Sequence, residues 1–392
     1  MSGTRRPGTL ELVAVGGSAV VVDREIGRTK SYARAIPACA RQTTCRVSGN
    51  GGNKVDQRTV RYAAIDHCLG RSGSRYFGQG FRRVGHRVRE LRVVAGGPGD
   101  LVSAVVDVEY PDDWSSKPVV DAPRPHLSTV DALVVAVQLA EALLVRVHGL
   151  DEERRRRMWL RSFAMKAGAT PQLHLVGIPA TGRRESVLPA LDGPGALVSR
   201  FDIKVGTIRV TCDIGHDGGD GASSGEWSEI SELLGDSASR VYGRGFTRRQ
   251  QLITDLEVDV PAGAVRGLML MTDAAPPPGG WTGFSAHYEP ALSMVDCLIA
   301  MAQLAQVLMY DCDGVERAET GNLWMRRVAM SARTPYQPIT NAFVANGMVV
   351  NGRHIDRAGA RWSLYDLSGV CQGIETTASL AYLQPTEILS SI

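Results

Sequence analysis

The sequence predicts an α+β fold built twice from one pattern, with two curled antiparallel sheets that each wrap around a long central helix. The first observation behind this prediction is a tandem repeat. One offset of 165 residues places SRYFGQGF (74–81) on SRVYGRGF (239–246), and the same offset places Ser128 on Ser293. Two copies are too few for a solenoid, so we expect two related domains that pack as an internal pseudo-dimer.

The second observation is the order of elements within each copy. We expect a short helical segment (55–70 and 225–236), a glycine-marked strand, a second extended region and then a long helix. The long helix opens with a Ser-x-x-Asp capping box in both copies. It is apolar nearly all round, which indicates burial on most sides. The stretch SRFDIKVGTIRVTCDIGHD (199–217) alternates apolar and polar residues, as half-buried strands do. A sheet curled around one buried helix is a hot-dog fold, so the prediction is a tandem, or double, hot-dog.

The repeat also predicts the domain boundaries. Residues 1–55 form an N-terminal extension of unknown role, because nothing in the second copy matches them. We expect a first hot-dog domain over 56–214 and a second over 227–392. The Gly/Asp/Ser-rich stretch 215–226 is typical of a flexible linker.

The composition narrows the class of protein. A net charge of +3 over 392 residues gives no argument for nucleic-acid binding, and 44% hydrophobic with 22% charged residues is typical of a globular protein. No secretory signal or membrane span is expected, which favours the cytoplasm. The seven cysteines form no C-x-x-C pair, so we expect no metal site. Since no phosphate loop, nucleophile elbow or dinucleotide fingerprint is found, we also expect no cofactor.

Three motifs carry a resemblance to a known family. DHCLGRSGSRYFGQGFRRV, VEYPDDWSSKP and PHLSTVDA occur in this order, and together they resemble the avirulence protein D (AvrD) family over roughly residues 58–340. The resemblance implies secondary-metabolite chemistry that leads to syringolide-type, furanone or butenolide products, made from a β-ketoacyl chain and a ketose such as xylulose. The reaction that this resemblance implies is similar to that of the A-factor synthases of streptomycetes, which are hot-dog proteins that transfer a β-ketoacyl group to a triose phosphate.

Differences between the two copies indicate where the chemistry lies. His126 stands two residues before Ser128, whereas the second copy has Ala291. A neutral histidine beside a helix amino end can accept a proton from a sugar hydroxyl, and the free N–H groups around Ser128 and Thr129 can hold a thioester oxyanion. The alternative is a histidine that only hydrogen-bonds a loop. Asp131 is either a partner of His126 or merely the helix cap that recurs in the second copy.

Further candidates for substrate binding lie upstream of the helix. Trp114 and Lys117 belong to YPDDWSSKP, which has no counterpart in the second copy. Lys117 either binds a phosphate or carbonyl group or is a solvated loop residue. Arg82 and Arg83 lie in a basic stretch suited to a sugar phosphate or an acidic acyl carrier protein. Arg75 recurs in the second copy, which also allows a shared structural role.

The predicted function is that of a β-ketoacyl transferase. It would join a β-ketoacyl thioester, carried on acyl carrier protein or CoA, to a ketose or ketose phosphate. One alternative is a dehydratase or cyclase acting on the acylated sugar, and another is a non-enzymatic protein that binds a lactone. We expect a monomeric pseudo-dimer or a homodimer.

Overall fold

The chain forms two compact bodies, Met1–Ala40 and Arg41–Ile392. The computed structural model describes residues 10–15, 18–23, 42–45, 58–96, 99–115, 124–272, 275–357 and 359–385. In the first body, strand β1 (Leu10–Val15) pairs antiparallel with strand β2 (Ser18–Asp23). Most of the predicted N-terminal extension, and Lys117, lie outside the described residues.

The second body holds both repeats. The elements of the first are, in chain order, β3 (Gln42–Cys45), β4 (Arg58–Ala64), α1 (Asp66–Leu69), β5 (Gly85–Val94), β6 (Leu101–Glu109), α2 (Thr129–His148), α3 (Glu152–Arg156), β7 (Trp159–Lys166), β8 (Ile178–Pro189), β9 (Leu197–Val205) and β10 (Ile208–His216). Those of the second are β11 (Gly225–Glu229), α4 (Ile230–Leu234), β12 (Gln250–Asp259), β13 (Ala264–Thr272), α5 (Met294–Asp313), β14 (Leu323–Ala332), β15 (Phe343–Arg357), β16 (Ala360–Cys371) and β17 (Ile374–Leu383).

Strands β3 to β17 form one continuous antiparallel sheet in the order β11-β5-β6-β8-β9-β10-β7-β14-β17-β16-β15-β13-β12-β4-β3. We call β5–β10 with α2 the first unit, and β12–β17 with α5 the second unit. Each unit packs its sheet against its own helix. The chain therefore has the double hot-dog fold that the sequence predicts.

The two central helices form as the capping boxes indicate. Ser128 accepts a hydrogen bond from the N–H of Asp131, and the Asp131 carboxylate accepts one from the N–H of Ser128, both at 3.1 Å. The helix α2 ends at Gly149, whose φ of 57° lies in the left-handed region that glycine adopts without strain. Helix α5 is apolar and long enough to cross a membrane, but 89% of its most apolar window is buried inside the protein, as expected of a core helix.

A pseudo-twofold axis passes between β7 and β14. These strands pair antiparallel so that Ala164 lies opposite Ala329, its own repeat mate, while Ser162 lies opposite Ser331 and Lys166 opposite Arg327. A register centred on one residue and its mate is the pattern that twofold symmetry requires. The pairing joins the units edge to edge into one sheet.

The repeats exchange their first strands. Strand β4 comes from the first repeat, yet it pairs with β12 of the second unit, and β11 of the second repeat pairs with β5 of the first unit. The short helices follow their strands, because α1 packs on α5 and α4 packs on α2. Each unit is therefore completed by the opening segment of the other repeat.

Three expectations need correction. The predicted helical segments begin with strands β4 and β11, because Val60 and Tyr62 alternate with polar residues and bury one face. The predicted glycine-marked strand is a turn that leads into a 3-10 helix at Gly80–Arg83. Glycine is needed at position 80 because a Cβ there would lie only 2.2 Å from the carbonyl oxygen of Trp114. The linker is shorter than 215–226, because β10 extends to His216 and β11 starts at Gly225.

Candidate active site

The amino end of α2 carries a carboxylate surrounded by donors. Asp131 is 1% exposed. Its Oδ2 accepts hydrogen bonds from the hydroxyl of Ser128 at 2.7 Å and from the hydroxyl of Tyr110, besides the capping N–H. Its Oδ1 lies 2.8 Å from Nε2 of His86, and the hydroxyl of Tyr76 is 3.5 Å away. Asp131 is thus both the helix cap and the centre of a polar cluster.

The contacts within this cluster determine which of its side chains carry a proton. Burial alone would raise the pKa of Asp131, but His86, Tyr110 and Ser128 hold that pKa below its usual value, so the group is an anion. Burial and the nearby Asp131 charge raise the pKa of Tyr110 and of Tyr76 well above 10, and both phenols stay protonated. Since an anion only accepts, His86 donates from Nε2 to Asp131.

Two histidines consequently each present one free nitrogen. Nδ1 of His86 makes no hydrogen bond to the described residues. In His126 the ring Nδ1 lies 3.3 Å from the carbonyl oxygen of Arg124, which requires a proton on Nδ1 and leaves Nε2 as the acceptor. Tyr110 links the two, because its hydroxyl lies 2.9 Å from the carbonyl oxygen of His126 and also contacts Asp131. Burial lowers the pKa of His126 below 6.5, against a smaller opposing influence of the Arg124 carbonyl and Asp131.

Aromatic rings from both units enclose these histidines. Trp114 meets the ring of His126 edge-on, with ring centroids 6.0 Å apart. The ring of Trp324, in β14, is tilted by 34° to the ring of His126, and their centroids are 5.1 Å apart. Phe246, from the second repeat, lies 6.5 Å from the ring of His86. The first-unit site is therefore completed by side chains of the other half of the chain.

The corresponding end of α5 has the same cap with different surroundings. Asp296 repeats the hydrogen bonds with Ser293, but its partner is Arg249, whose Nη1 lies 2.9 Å from Oδ2. Arg249 also pairs with Glu289 and donates to the carbonyl oxygen of Ala291 at 2.6 Å. An ion-pair network thus occupies the position that His86 and Tyr110 occupy in the first unit.

Several predicted site residues meet in the structure. Ser128, Asp131, His126 and Trp114 lie together at the amino end of α2. Thr129 starts the helix there, and neither its N–H nor that of Val130 has a partner among the described residues. Those two N–H groups are available to an oxyanion, as the position of a helix amino end suggests.

The predicted arginines are engaged elsewhere. Arg75 is buried and bonds Gln303 of α5 at 2.6 Å and Asp66 at 2.5 Å. Its repeat mate Arg240 likewise bonds Gln138 of α2, which is the shared structural role that the sequence left open. Arg82 donates to the carbonyl oxygen of Thr247 at 2.5 Å.

Arg83 remains exposed beside the site and holds the loop that carries Trp114. Its guanidinium donates to the carboxylate of Asp113 at 2.6 Å and to the Asp113 carbonyl oxygen at 3.1 Å. Of the three predicted arginines, only Arg83 is therefore both exposed and attached to a loop that lines the site.

Sequence reasoning gave no argument for His86, Tyr110 and Tyr76. A signal for them was available in the repeat offset, because His86 corresponds to Gln251, Tyr110 to Ala275 and Tyr76 to Val241. Within the described residues no group of three or more potential metal ligands is found. The donors around Asp131 are hydroxyls and a histidine, a set that supports proton transfer.

Comparisons with known proteins find similar solved structures and one matching family model. A search of curated proteins found no match. Among solved structures, the chain is similar to GphF dehydratase 1 (13% identity, TM-score 0.34, covering 77% of this chain and 100% of the other). It is also similar to an acyl-CoA thioesterase II from Mycobacterium marinum (12%, TM-score 0.31, 66% and 88%). A third similar structure is a hot-dog protein of unknown function from Alicyclobacillus acidocaldarius (9%, TM-score 0.33, 74% and 96%).

The sequence itself matches a family model over nearly the whole second body. The model is that of the Pseudomonas avirulence D protein, and it matches residues 60–385. This range contains both units and every residue of the cluster around Asp131. The resemblance found in the three motifs is confirmed: the chain belongs to the AvrD family.

Proposed function

We propose that the chain is an acyltransferase that joins a β-ketoacyl thioester to a hydroxyl of a ketose or ketose phosphate. The site is the amino end of α2. The observation that supports it best is His126 beside the amino end of α2, held through Nδ1 by the carbonyl oxygen of Arg124 and with Nε2 free. Family membership supports the substrate class, since the AvrD resemblance implies products built from a β-ketoacyl chain and a ketose.

The proposed reaction needs one base and one oxyanion site. Nε2 of His126 takes the proton of the sugar hydroxyl while the hydroxyl oxygen attacks the thioester carbonyl carbon. The N–H groups of Thr129 and Val130 hold the tetrahedral oxyanion. The C–S bond then breaks, and His126 gives its proton to the leaving thiolate. The products are the ester and the free thiol of CoA or of an acyl carrier protein.

In this proposal Asp131 carries no proton. It is ionised, and its role is to fix Tyr110, Ser128 and His86, just as an orienting carboxylate fixes the histidine of a catalytic triad. Arg83 is an exposed cation beside the site and is the proposed contact for a phosphate group of either substrate.

One observation favours a second candidate, a dehydratase or cyclase that acts on the acylated sugar. His86 and Asp131 form a second pair able to take a proton, and the acyl transfer above does not use His86 directly. Elimination of water requires a base at carbon and an acid at the leaving hydroxyl. In this candidate Nε2 of His126 takes the proton from carbon, and His86, protonated on Nδ1 beside the Asp131 anion, gives one to the leaving hydroxyl.

The test is to incubate the purified chain with a β-ketoacyl-CoA or carrier-bound thioester and xylulose phosphate, and to analyse products by mass spectrometry. An ester product that depends on His126 supports transfer. Water loss from a pre-formed ester, without transfer, replaces it with the second candidate. Tight binding without turnover that is unaffected by His126→Ala leaves a lactone-binding protein. The matched control is His174→Ala, because His174 is an exposed histidine of the same repeat.

A further inference from the structure

Two tryptophans related by the repeat have different surroundings. Trp159 is 1% exposed and its indole N–H donates to the carbonyl oxygen of Pro194 at 2.9 Å. It packs with Tyr288 and Ala291 at the amino end of α5. Trp324 occupies the corresponding place at the amino end of α2 but is half-buried. Its indole N–H has no partner among the described residues.

The free N–H has a consequence because of where Trp324 lies. The centroid of its ring lies 5.1 Å from that of His126, and the two ring planes meet at 34°. Trp114, on another side, is buried and meets the same ring edge-on. The His126 ring is therefore bordered by two indoles, and the N–H of Trp324 has no partner among the described residues.

We propose that Trp324, although it belongs to the second unit, is the specificity-determining residue of the first-unit site. Its ring face holds the acyl chain next to the thioester, and its N–H donates a hydrogen bond to the β-keto oxygen. The inference rests on the proposed function for the identity of the acyl group. Aromatic residues with one polar atom suit a ligand that is apolar along its length and polar at one position.

The ring face and the N–H of Trp324 can be removed separately, which permits a selective test. Trp324→Phe keeps the aromatic face and removes the N–H, whereas Trp324→Ala removes both. The probes are thioether analogues of acyl-pantetheine that cannot transfer their acyl group, one with a 3-oxo group and one saturated chain of the same length. Calorimetric titration of the full chain gives the two dissociation constants for each variant.

We expect the wild type to bind the 3-oxo probe about fivefold more tightly than the saturated probe, the value of one neutral hydrogen bond. Trp324→Phe should abolish that preference and leave binding of the saturated probe unchanged. Trp324→Ala should weaken both. The control Tyr336→Ala removes an exposed aromatic residue near the other tryptophan, beside Tyr288, and should change neither. An unchanged 3-oxo preference in Trp324→Phe overturns the inference.

A second measurement separates this inference from the proposed function. Proton NMR follows the titration of His126 without any substrate. Trp324→Ala uncovers the His126 ring, so its pKa should rise towards 6.5, while Tyr336→Ala should not move it. If the titration and the probe preference respond but no ester is ever formed, Trp324 stands as the binding residue and acyl transfer is wrong. If neither responds, Trp324 is not part of the site.

Discussion

The amino ends of α2 and α5 share one capping box but differ in the other side chains that hydrogen-bond its aspartate. Both aspartates are about 1% exposed and both accept the same hydrogen bonds from a serine. In the first unit the remaining partners are His86 and two phenols, and in the second the partner is Arg249. The difference teaches that the cap is structural in both units. In the proposed function, the chemistry depends on the side chains that neighbouring strands place around the cap.

The largest expected effect comes from the shared aspartate. Asp131→Asn removes the negative charge that orients His86 and Tyr110, and we expect the rate of ester formation to fall about 10⁴-fold, as in enzymes that lose an orienting carboxylate. Asp296→Asn should instead act on stability, costing about 3 kcal/mol, because it leaves Arg249 with one carboxylate fewer in a buried place.

Steady-state kinetics and urea unfolding of both variants test this contrast. Circular dichroism should show that Asp131→Asn is folded before its rate is compared. Equal losses of activity in the two variants would mean that the units do not differ in function.

The next largest effect is expected from replacing His126 by alanine, the residue at the corresponding position of the second unit. His126→Ala should lower kcat/KM for transfer about 10²- to 10⁴-fold, the usual contribution of a general base, and leave unfolding unchanged. In the wild type, kcat/KM should fall as the pH drops through the lowered pKa of His126, so the acidic limb lies below pH 6.5. An acidic limb above pH 6.5 would assign the base to another group.

A smaller effect is expected from the corresponding change at position 86. His86→Gln introduces the residue found at position 251, which retains a donor for Asp131 and removes the free nitrogen. If His86 only supports the site, transfer should slow about tenfold, the value of one weakened charged hydrogen bond. A loss as large as that of His126→Ala would instead show that both histidines move protons, in favour of the dehydratase or cyclase.

The fold could be predicted from the sequence because the same local patterns occur in both repeats, and each occurrence supports the other. The capping boxes of Ser128 and Ser293 and the apolar helices behind them are local features, and local features are legible in a sequence. The exchange of β4 and β11 was not predicted, because strand pairing between repeats depends on contacts far apart in the chain. The segments were even predicted as helices, since alternation over five to seven residues is a weak signal.

The candidate site was predicted only where it is local to the helix. His126 and Asp131 lie within three residues of Ser128 and were predicted. His86 lies 45 residues from Asp131 and reaches it only because β5 passes the amino end of α2. Arg75 was assigned to substrate, although its bond to Gln303 spans 228 residues and both units. Residue type alone does not distinguish a buried bridge from a substrate contact.

The carboxyl ends of the same helices offer a test of the comparison that needs no substrate. In the first unit His148 lies beside His216, with ring centroids 4.8 Å apart, and His216 also contacts Ser199. Burial, together with the nearby positive charge of Arg184, lowers the pKa of both histidines, that of His216 to about 4. In the second unit the mate of His148 is Asp313. Burial opposes its ionisation, but hydrogen bonds from Ser363, Tyr365, Tyr382 and His354 hold its pKa below its usual value.

These two ends should lose stability over different pH ranges. A histidine with a lowered pKa in the folded state binds its proton more readily when unfolded, so its contribution is complete above pH 6.5 and is lost as the pH falls towards 4. For His216 the loss amounts to about 3 kcal/mol. Asp313, with a lowered carboxyl pKa, contributes above its unfolded value and loses that contribution only below about pH 4. Urea unfolding at pH 7, 5.5 and 4.5 should therefore show a decline that His216→Gln flattens and His354→Gln does not. A decline that persists unchanged in His216→Gln would place the acid-sensitive groups outside this end of the first unit.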